Sequence, residues 1–435
     1  MRTMTALAGA LAGALLLAGC TLYLPGVNVA PPGEATTTAA AAASATASVT
    51  PITTATLPQP TLTATPTPAP AGPPIEKLQA GLEITVRTIR MVDAARGWAI
   101  GRPGAASDHI LRTSDGGVAW RDVSPPAAEQ PGTRMTAVGA FRNASTAWVA
   151  YSLESPGETP QVALIWRTQD SGATWTASAP LDISPLMGIY QPSHLLFVDT
   201  DHGWLLVHAG AGMNHDYIAI YRSTDGGRQW SKIVDPFVTD NVQSCYKTGL
   251  LFTTPLEGWM TGDCGGVAPG VLFFHSPDGG QNWDLVRLPP PPETPDLFER
   301  SDVACGADSL SFPDPQHGRM VVTCRMYNET PSRDVYYLYA SDNGGRLWLP
   351  LSFPGERAVF LTPDLGWAVG AVVRRTSDGG HSWSELGKVK WQGQFSFVSD
   401  TLGWAVARAE EEYAFVATRN GGRDWTILKP KTVAP

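Results

Sequence analysis

From about residue 76 onward, apolar and polar positions alternate in short runs such as 217–221 and 271–274. A period of two sends successive side chains to opposite faces of a strand, so these runs predict β-strands. Two signals punctuate them. The first is a large apolar residue followed six positions later by Gly-Trp: Met91…Gly97-Trp98, Phe197…Gly203-Trp204, Phe252…Gly258-Trp259, Phe360…Gly366-Trp367 and Phe397…Gly403-Trp404. Phe141…Ala147-Trp148 and Phe312…Gly318-Arg319 are degenerate copies. The second is an octapeptide of the form Ser/Thr-x-Asp/Asn-x-Gly-x-x-Trp, as in Ser223-Thr224-Asp225-Gly226-Gly227-Arg228-Gln229-Trp230.

The octapeptide occurs seven times, starting at Thr113, Thr168, Ser223, Ser276, Ser341, Thr376 and Thr418. Asp two residues ahead of Gly suits a tight turn, because its carboxylate accepts from backbone N–H groups and Gly takes positive φ without a clash. The hydroxyl braces the same turn, and Trp opens the return strand with a large apolar face. The acidic position is Asp115, Asp170, Asp225, Asp278 and Asp378, but Asn343 and Asn420 in the other two copies. Asn keeps the acceptor oxygen and drops the charge. A turn clamp tolerates that exchange and a catalytic acid does not, so all seven are assigned a structural role.

The box tryptophans run from Trp120 to Trp425 at a mean spacing of about 51 residues, which is the length of a propeller blade. Each unit reads as four strands, A to D, with Gly-Trp closing the A–B turn and the box forming the C–D turn. Seven such units predict an all-β, seven-bladed propeller of four-stranded antiparallel blades. A–B and C–D turns share one face and keep constant length. The B–C distance, from the Gly position to the box, varies from ten residues (Gly366 to Thr376) to twenty-three (Gly318 to Ser341). D–A connections vary too, with a proline-rich insertion at 289–295. Binding usually lives on variable loops, so that face is the expected partner site.

The N-terminal part differs in kind. Residues 6–18 are apolar behind a single charge, Arg2, too short a run to span a bilayer and suited to an export signal. Leu17-Ala18-Gly19-Cys20 resembles a bacterial lipobox, which marks 1–19 as a lipoprotein signal peptide and Cys20 as the lipidated residue. An ordinary cleavable signal or an uncleaved anchor is the alternative. Residues 27–74 are mostly Ala, Thr, Pro and Ser, so 20–75 reads as a disordered tether and 76–435 as the propeller. The expected location is therefore extracytoplasmic: exported and lipid-anchored to the outer face of the cytoplasmic membrane or another extracytoplasmic membrane. A net charge of −9 without a long basic run argues against nucleic acid.

Apart from Cys20 there are four cysteines. Cys245 and Cys305 each lie seven residues before their strand-A Phe, and Cys264 and Cys324 each six after their Gly. Antiparallel neighbours bring those ends together, predicting disulfides Cys245–Cys264 and Cys305–Cys324 in an oxidising compartment. A four-thiolate metal site is the rival, though it lacks the usual Cys-x-x-Cys pairs. No Gly-x-Ser-x-Gly, His-Glu-x-x-His or phosphate-loop motif occurs, so no catalytic residue, metal or cofactor is assigned. His208 and His215 cluster with Asn214 and Asp216 in the third B–C connection and read as an ordinary solvated loop, with a metal or acid–base role as the alternative. Glu410, Glu411 and Glu412 read as a solvated hairpin tip. Arg112, Arg167, Arg222 and Arg375, each just before a box, read as a solvated strand face.

The box resembles the Asp box of bacterial neuraminidase repeats, found in sialidases, sortilin-type receptors and several glycoside hydrolases. The run Gly97-Trp98-Ala99-Ile100-Gly101…Ile110-Leu111-Arg112-Thr113-Ser114-Asp115-Gly116-Gly117…Trp120 more closely resembles the photosystem II stability/assembly factor family. That resemblance implies a seven-bladed, non-enzymatic, monomeric scaffold for protein binding or complex assembly. The wider Asp-box group offers a glycan-binding or glycan-hydrolysing propeller as the alternative; a sialidase Arg-Ile-Pro-type motif is absent. Trp391 is the one Trp outside the repeat. With Tyr246 in the same register of blade four, and with Lys390 and Lys247 beside them, it is the candidate partner-binding set. The competing reading makes Trp391 a cap on a blade junction.

Overall fold

The computed structural model describes residues 73–127, 134–153, 162–184, 186, 189–213, 215–409 and 412–434. They form seven four-stranded antiparallel units in chain order, a β-propeller, with units four and five joined into one sheet where Asp263 pairs with Gly306. Blade one holds β1 (Thr85–Met91), β2 (Gly97–Arg102), β3 (His109–Thr113) and β4 (Ala119–Asp122); blade two holds β5 (Met135–Phe141), β6 (Ala147–Leu153), β7 (Ile165–Thr168) and β8 (Thr176–Ala177). Blade three holds β9 (Gln191–Phe197), β10 (Gly203–Gly212), β11 (His215–Ser223) and β12 (Ser231–Val234); blade four β13 (Tyr246–Phe252), β14 (Gly258–Asp263), β15 (Leu272–Ser276) and β16 (Asp284–Leu285). Blade five holds β17 (Val303–Asp314), β18 (His317–Met326), β19 (Arg333–Ser341) and β20 (Leu349–Ser352); blade six β21 (Arg357–Phe360), β22 (Gly366–Val369), β23 (Val372–Thr376) and β24 (Ser384–Lys388). Blade seven holds β25 (Gln392–Phe397), β26 (Gly403–Ala409), β27 (Glu412–Thr418) and β28 (Thr426–Leu428), and β29 (Lys431–Val433) follows it. The expected signal peptide (1–19), Cys20, the expected tether up to residue 72, Asn214, Glu410 and Glu411 lie outside the described residues.

The seven box turns share one hydrogen-bond pattern. Ser223 Oγ donates to Asp225 Oδ1 at 2.9 Å and accepts from Gly227 N at 2.8 Å, while Asp225 Oδ1 accepts from Arg228 N and Gln229 N. Asn343 and Asn420 make the same contacts with their amide oxygens, accepting from Leu347 N and Asp424 N at 3.0 Å. Both glycines of the Asp225 turn have positive φ, 77° and 87°, and a Cβ on Gly226 would fall 2.8 Å from Thr200 O. Where blade two places Ser171 instead of Gly, φ is still 65°.

The Gly-Trp signal joins one blade to the next. Trp148 Nε1 donates to Gly226 O in the following box, Trp204 to Gly279 O, Trp367 to Gly421 O and Trp404 to Gly116 O, all at 2.8–2.9 Å. The indoles of Trp148, Trp204 and Trp367 stack on the next blade's Phe at 3.7–3.8 Å between centroids. Most of these rings are fully buried, and burying one contributes on the order of 3 kcal/mol. Blade five has Arg319 at this position. Its guanidinium sits 5.5 Å over Phe360 and Nε donates to Gly379 O at 3.0 Å, so an arginine occupies the tryptophan's place and makes its bond.

Three of the arginines before the boxes are packed rather than freely solvated, while Arg375 stays a third exposed beside Asp400 at 3.7 Å. Arg112, Arg167 and Arg222 lie over Trp98, Trp148 and Trp204 at 4.9–5.7 Å, and Arg112 and Arg222 reach carbonyls of the next blade at Ala144 and Pro255. The sequence reading missed this because the Trp under each Arg stands on the adjoining strand.

Ring closure uses both ends of the folded body. Ile89 N donates to Gln394 Oε1 and Met91 N to Ser396 Oγ, tying β1 to β25. At the rim, β29 runs parallel to β4 as a fifth strand of blade one, and its other edge exchanges bonds with the segment before β1. Gly81 N donates to Thr432 O, Leu82 N to Thr432 Oγ1 and Thr432 N to Leu82 O, at 2.9–3.0 Å.

Candidate functional site

Because A–B and C–D turns lie at one end of every blade, the B–C and D–A connections meet at the other. On that face the hairpin of blade three is extended: β10 and β11 pair out to Gly212 opposite His215, and Met213 at the turn is fully exposed. The connection from β12 to β13 is held against this hairpin. Asp216 N donates to Gln243 O and Ile218 N to Gln243 Oε1, at 2.7–2.8 Å, while Asn241 Nδ2 ties the connection to Trp283 O of blade four at 2.9 Å and Val242 is buried. Asp235 caps the loop from within, accepting from Phe237 N at 2.9 Å.

This framework displays apolar side chains to solvent. Phe237 is 48 % exposed, Val238 80 % and Tyr246 57 %. Rings run between them: Phe237 beside Tyr217 at 6.2 Å, Tyr217 beside His215 at 5.8 Å, and His215 bridged to Ser244, two residues before Tyr246. Among these, sequence reasoning singled out only Tyr246 and His215. The missed signal was Phe237-Val238, an apolar pair inside a connection whose turn residues, Asp235-Pro236, otherwise mark it as solvated.

Below Tyr246 lies a buried polar cluster. His208 and Asp216 stand on β10 and β11, not in a solvated loop, because the hairpin continues past them. His208 Nδ1 is 2.8 Å from Asp216 Oδ1 and 3.0 Å from Oδ2, and its ring stacks on Tyr246 at 4.8 Å. An ionised carboxylate only accepts, so Nδ1 carries the proton, leaving a buried Nε2 with no protein partner. Asp216 also accepts from Lys247 N at 2.9 Å. Burial lowers the Lys247 ammonium to about 8, against the pull of Asp216, and burial followed by the Asp216 charge raises the Tyr246 phenol. Burial, then the His208 charge, brings His194 down to about 4.

Lys247 is a correction. Expected as a surface cation beside Tyr246, it is fully buried, and its Nζ donates to Ser244 O and Cys245 O at 2.6 and 2.8 Å. Neighbours along a strand point to opposite faces, so an exposed Tyr246 turns Lys247 inward. Trp391 and Lys390 lie elsewhere on the same face, at the junction of blades six and seven. Trp391 is partly buried, stacked on Phe395 at 5.5 Å and edge-on to Trp425 at 5.4 Å. It also lines an open cleft of about 450 Å³ with Lys390, Gln392, Arg408 and Glu356. The structure does not bring this pair to Tyr246.

Cys245 is bonded to Cys264 beside the ring ridge, and Cys305 to Cys324, directly opposite each other on β17 and β18. Such bonds fit an oxidising, extracytoplasmic compartment. Among the described residues no group of three or more His, Cys, Asp or Glu is placed to hold a metal ion, and no helix is long and apolar enough to cross a membrane.

No protein-family model and no curated protein matches the chain. Solved structures do. An oligogalacturonate lyase in complex with manganese superposes with a TM-score of 0.51 at 7 % identity, covering 79 % of this chain and 96 % of that one. A puromycin-hydrolysing peptidase of Mycobacterium tuberculosis gives 0.50 at 11 %, covering 81 % and 56 %. YCF48 bound to a D1 peptide gives 0.47 at 19 %, covering 77 % and 94 %. The first two likenesses bear on the fold. They also correct one expectation, that the chain is not an enzyme. Lyases and peptidases share this architecture with proteins that are not enzymes, so a propeller fold is no ground for excluding catalysis.

Proposed function

We propose that this propeller is an exported docking module, held at a membrane by lipidated Cys20 and its tether, that binds another protein on its variable-loop face. The observation that carries this reading is the ridge of Met213, Tyr217, Phe237, Val238 and Tyr246, with three of its members more than half exposed. Contiguous exposed apolar surface is costly to keep in water unless something covers it. Aromatic anchors surrounded by polar residues are what protein interfaces concentrate at their centres. The connection behind the ridge is hydrogen-bonded at Asp235, Asn241 and Gln243 and bordered by the Cys245–Cys264 bond, so little ordering remains to oppose binding.

A photo-reactive amino acid placed at Phe237 in cells tests the proposal. A discrete protein adduct is expected there and not from the same probe at Leu347, an exposed residue in the box turn of blade five on the opposite face. Equal labelling from both positions, or none from Phe237, would defeat the reading. Cys20→Ser should move the chain from the membrane to the soluble fraction.

A further inference from the structure

Beside the ridge, on the blade-five side, the surface changes character. Tyr246 stands directly opposite Asp263 in the ladder of β13 and β14, and Asp263 belongs to a small pocket between blades four and five. The pocket holds about 150 Å³, room for one side-chain head group, and its charged walls are Asp263, Asp308, Asp334 and Arg325, with Thr248 and Tyr327 between them. The single cation is engaged: Arg325 grips Asp334 through two bonds of 2.7 and 2.9 Å. Asp263 accepts a backbone bond from Gly265 N, and no salt bridge to a described residue is found for it or for Asp308.

Asp308 is the sharper observation. Its Oδ1 is buried without a hydrogen-bond partner, and β17 loses register on either side of Ser311, with Ser309 at φ 50°. Asp308 as a whole is only partly buried and lines the pocket, so a cation seated there lies beside a carboxylate that no described cation compensates. The surroundings leave this negative charge uncompensated. The remaining arginines near this end of blade five are also held by carboxylates, Arg300 by Asp302 at 2.6 Å and Arg333 by Glu329 at 2.8 Å. Tyr327, 53 % exposed, offers a π face at the pocket edge.

We infer that the partner docked on the ridge carries an arginine or lysine next to its apolar contact residues, and that this cation enters the pocket of Asp263 and Asp308. The inference rests on the docking reading above and adds the chemistry of the partner. Apolar residues cover Phe237, Val238 and Tyr246; the adjoining cation meets Asp263 at the rim and the charge of Asp308, which no described cation compensates. An acidic segment would instead meet carboxylates that have no cation to spare.

The test uses the full chain and two readouts. In the first, adduct formation from the photo-probe at Phe237 is compared in the parent, Asp263→Asn and Asp308→Asn proteins. A fall of about tenfold in each variant, with melting temperatures held, is expected. In the second, synthetic twelve-residue peptides with one central Arg between Leu and Tyr residues are titrated onto the purified chain. They are compared with the same peptides carrying citrulline, which keeps the shape and removes the charge, or Glu. Arginine peptides should bind at least tenfold more tightly than the citrulline and glutamate forms, and the gap should close in Asp308→Asn and shrink with added salt. Adducts unaffected by both Asp variants would overturn the cationic partner while leaving protein docking intact. Equal or tighter binding of the Glu peptide would overturn it as well. Loss of all adducts at Phe237 in the parent defeats the docking reading and this inference with it.

Discussion

Arg319 is the place where the blade-to-blade clasp can be measured one bond at a time. It is 3 % exposed and donates from Nε to Gly379 O at 3.0 Å and from Nη1 to Gly318 O and Ser341 O at 2.8 and 3.1 Å. Truncation to Ala removes the donor from the carbonyls of Gly379, Gly318 and Ser341, at about 1 kcal/mol each, and forfeits the contact over Phe360, about 1 kcal/mol more; the longer bond to Pro363 O at 3.4 Å and the pairing with the exposed Asp342 carboxylate at 3.0 Å add little. Arg319→Ala should therefore cost about 4 kcal/mol, a large fraction of the 5–15 kcal/mol that holds a typical domain folded. Arg319→Trp restores the residue that the six other blades carry at this position. Its indole can stack on Phe360 and donate to Gly379 O, so the cost should fall to about 1–2 kcal/mol, the lost bonds to Gly318 and Ser341. Equilibrium urea unfolding of the parent and both variants reads these differences. The reasoning is refuted if Ala costs less than about 1 kcal/mol or if Trp costs as much as Ala.

Three further outcomes are expected. Asp225→Ala should destabilise by about 1–2 kcal/mol, because Arg228 N and Gln229 N lose their acceptor; Asp225→Asn should be much milder, and equal losses in thermal melts would show that charge matters. His194 binds its proton less readily in the folded state, near 4 against an ordinary 6.5, so stability should drain away as pH falls from about 6.5 to about 4, and His194→Gln should flatten that slope; a slope that persists unchanged assigns it to other groups. Each disulfide spans 19 residues, so removing either should cost about 3 kcal/mol in the chain-entropy picture; thiol mapping under mild reductant should find partly exposed Cys245–Cys264 opened before buried Cys305–Cys324, and the reverse order would contradict their burial.

The frame was legible because its signals are local. A hydroxyl, a carboxamide or carboxylate, a glycine and a tryptophan within eight residues close a turn by their own bonds, as Ser223, Asp225, Gly227 and Trp230 do, so the turn shows wherever the letters recur. Strand order follows from seven such turns in register. What joins the blades is not local. Arg319 appears from its own neighbourhood to be a broken Gly-Trp signal, and only the carbonyl of Gly379, sixty residues later, shows that it makes the same bond. Ring closure is further still, since β29 pairs with β4 and with residues near 82, about 350 positions away.

The candidate site lay beyond that limit for a different reason. Spacing placed Tyr246 on the face where connections vary, but what a strand presents depends on register, and register is set by partners on other strands. Lys247 turned inward because Asp216, on the neighbouring blade, accepts its backbone N–H and the turn at Ser244 and Cys245 receives its ammonium. The same step that buries that cation turns Tyr246 outward, over His208 and opposite Asp263. A surface read from the letters as aromatic and basic is therefore aromatic and acidic. Its preference should run toward basic partners, and an inverted charge preference follows from one residue of alternation on β13.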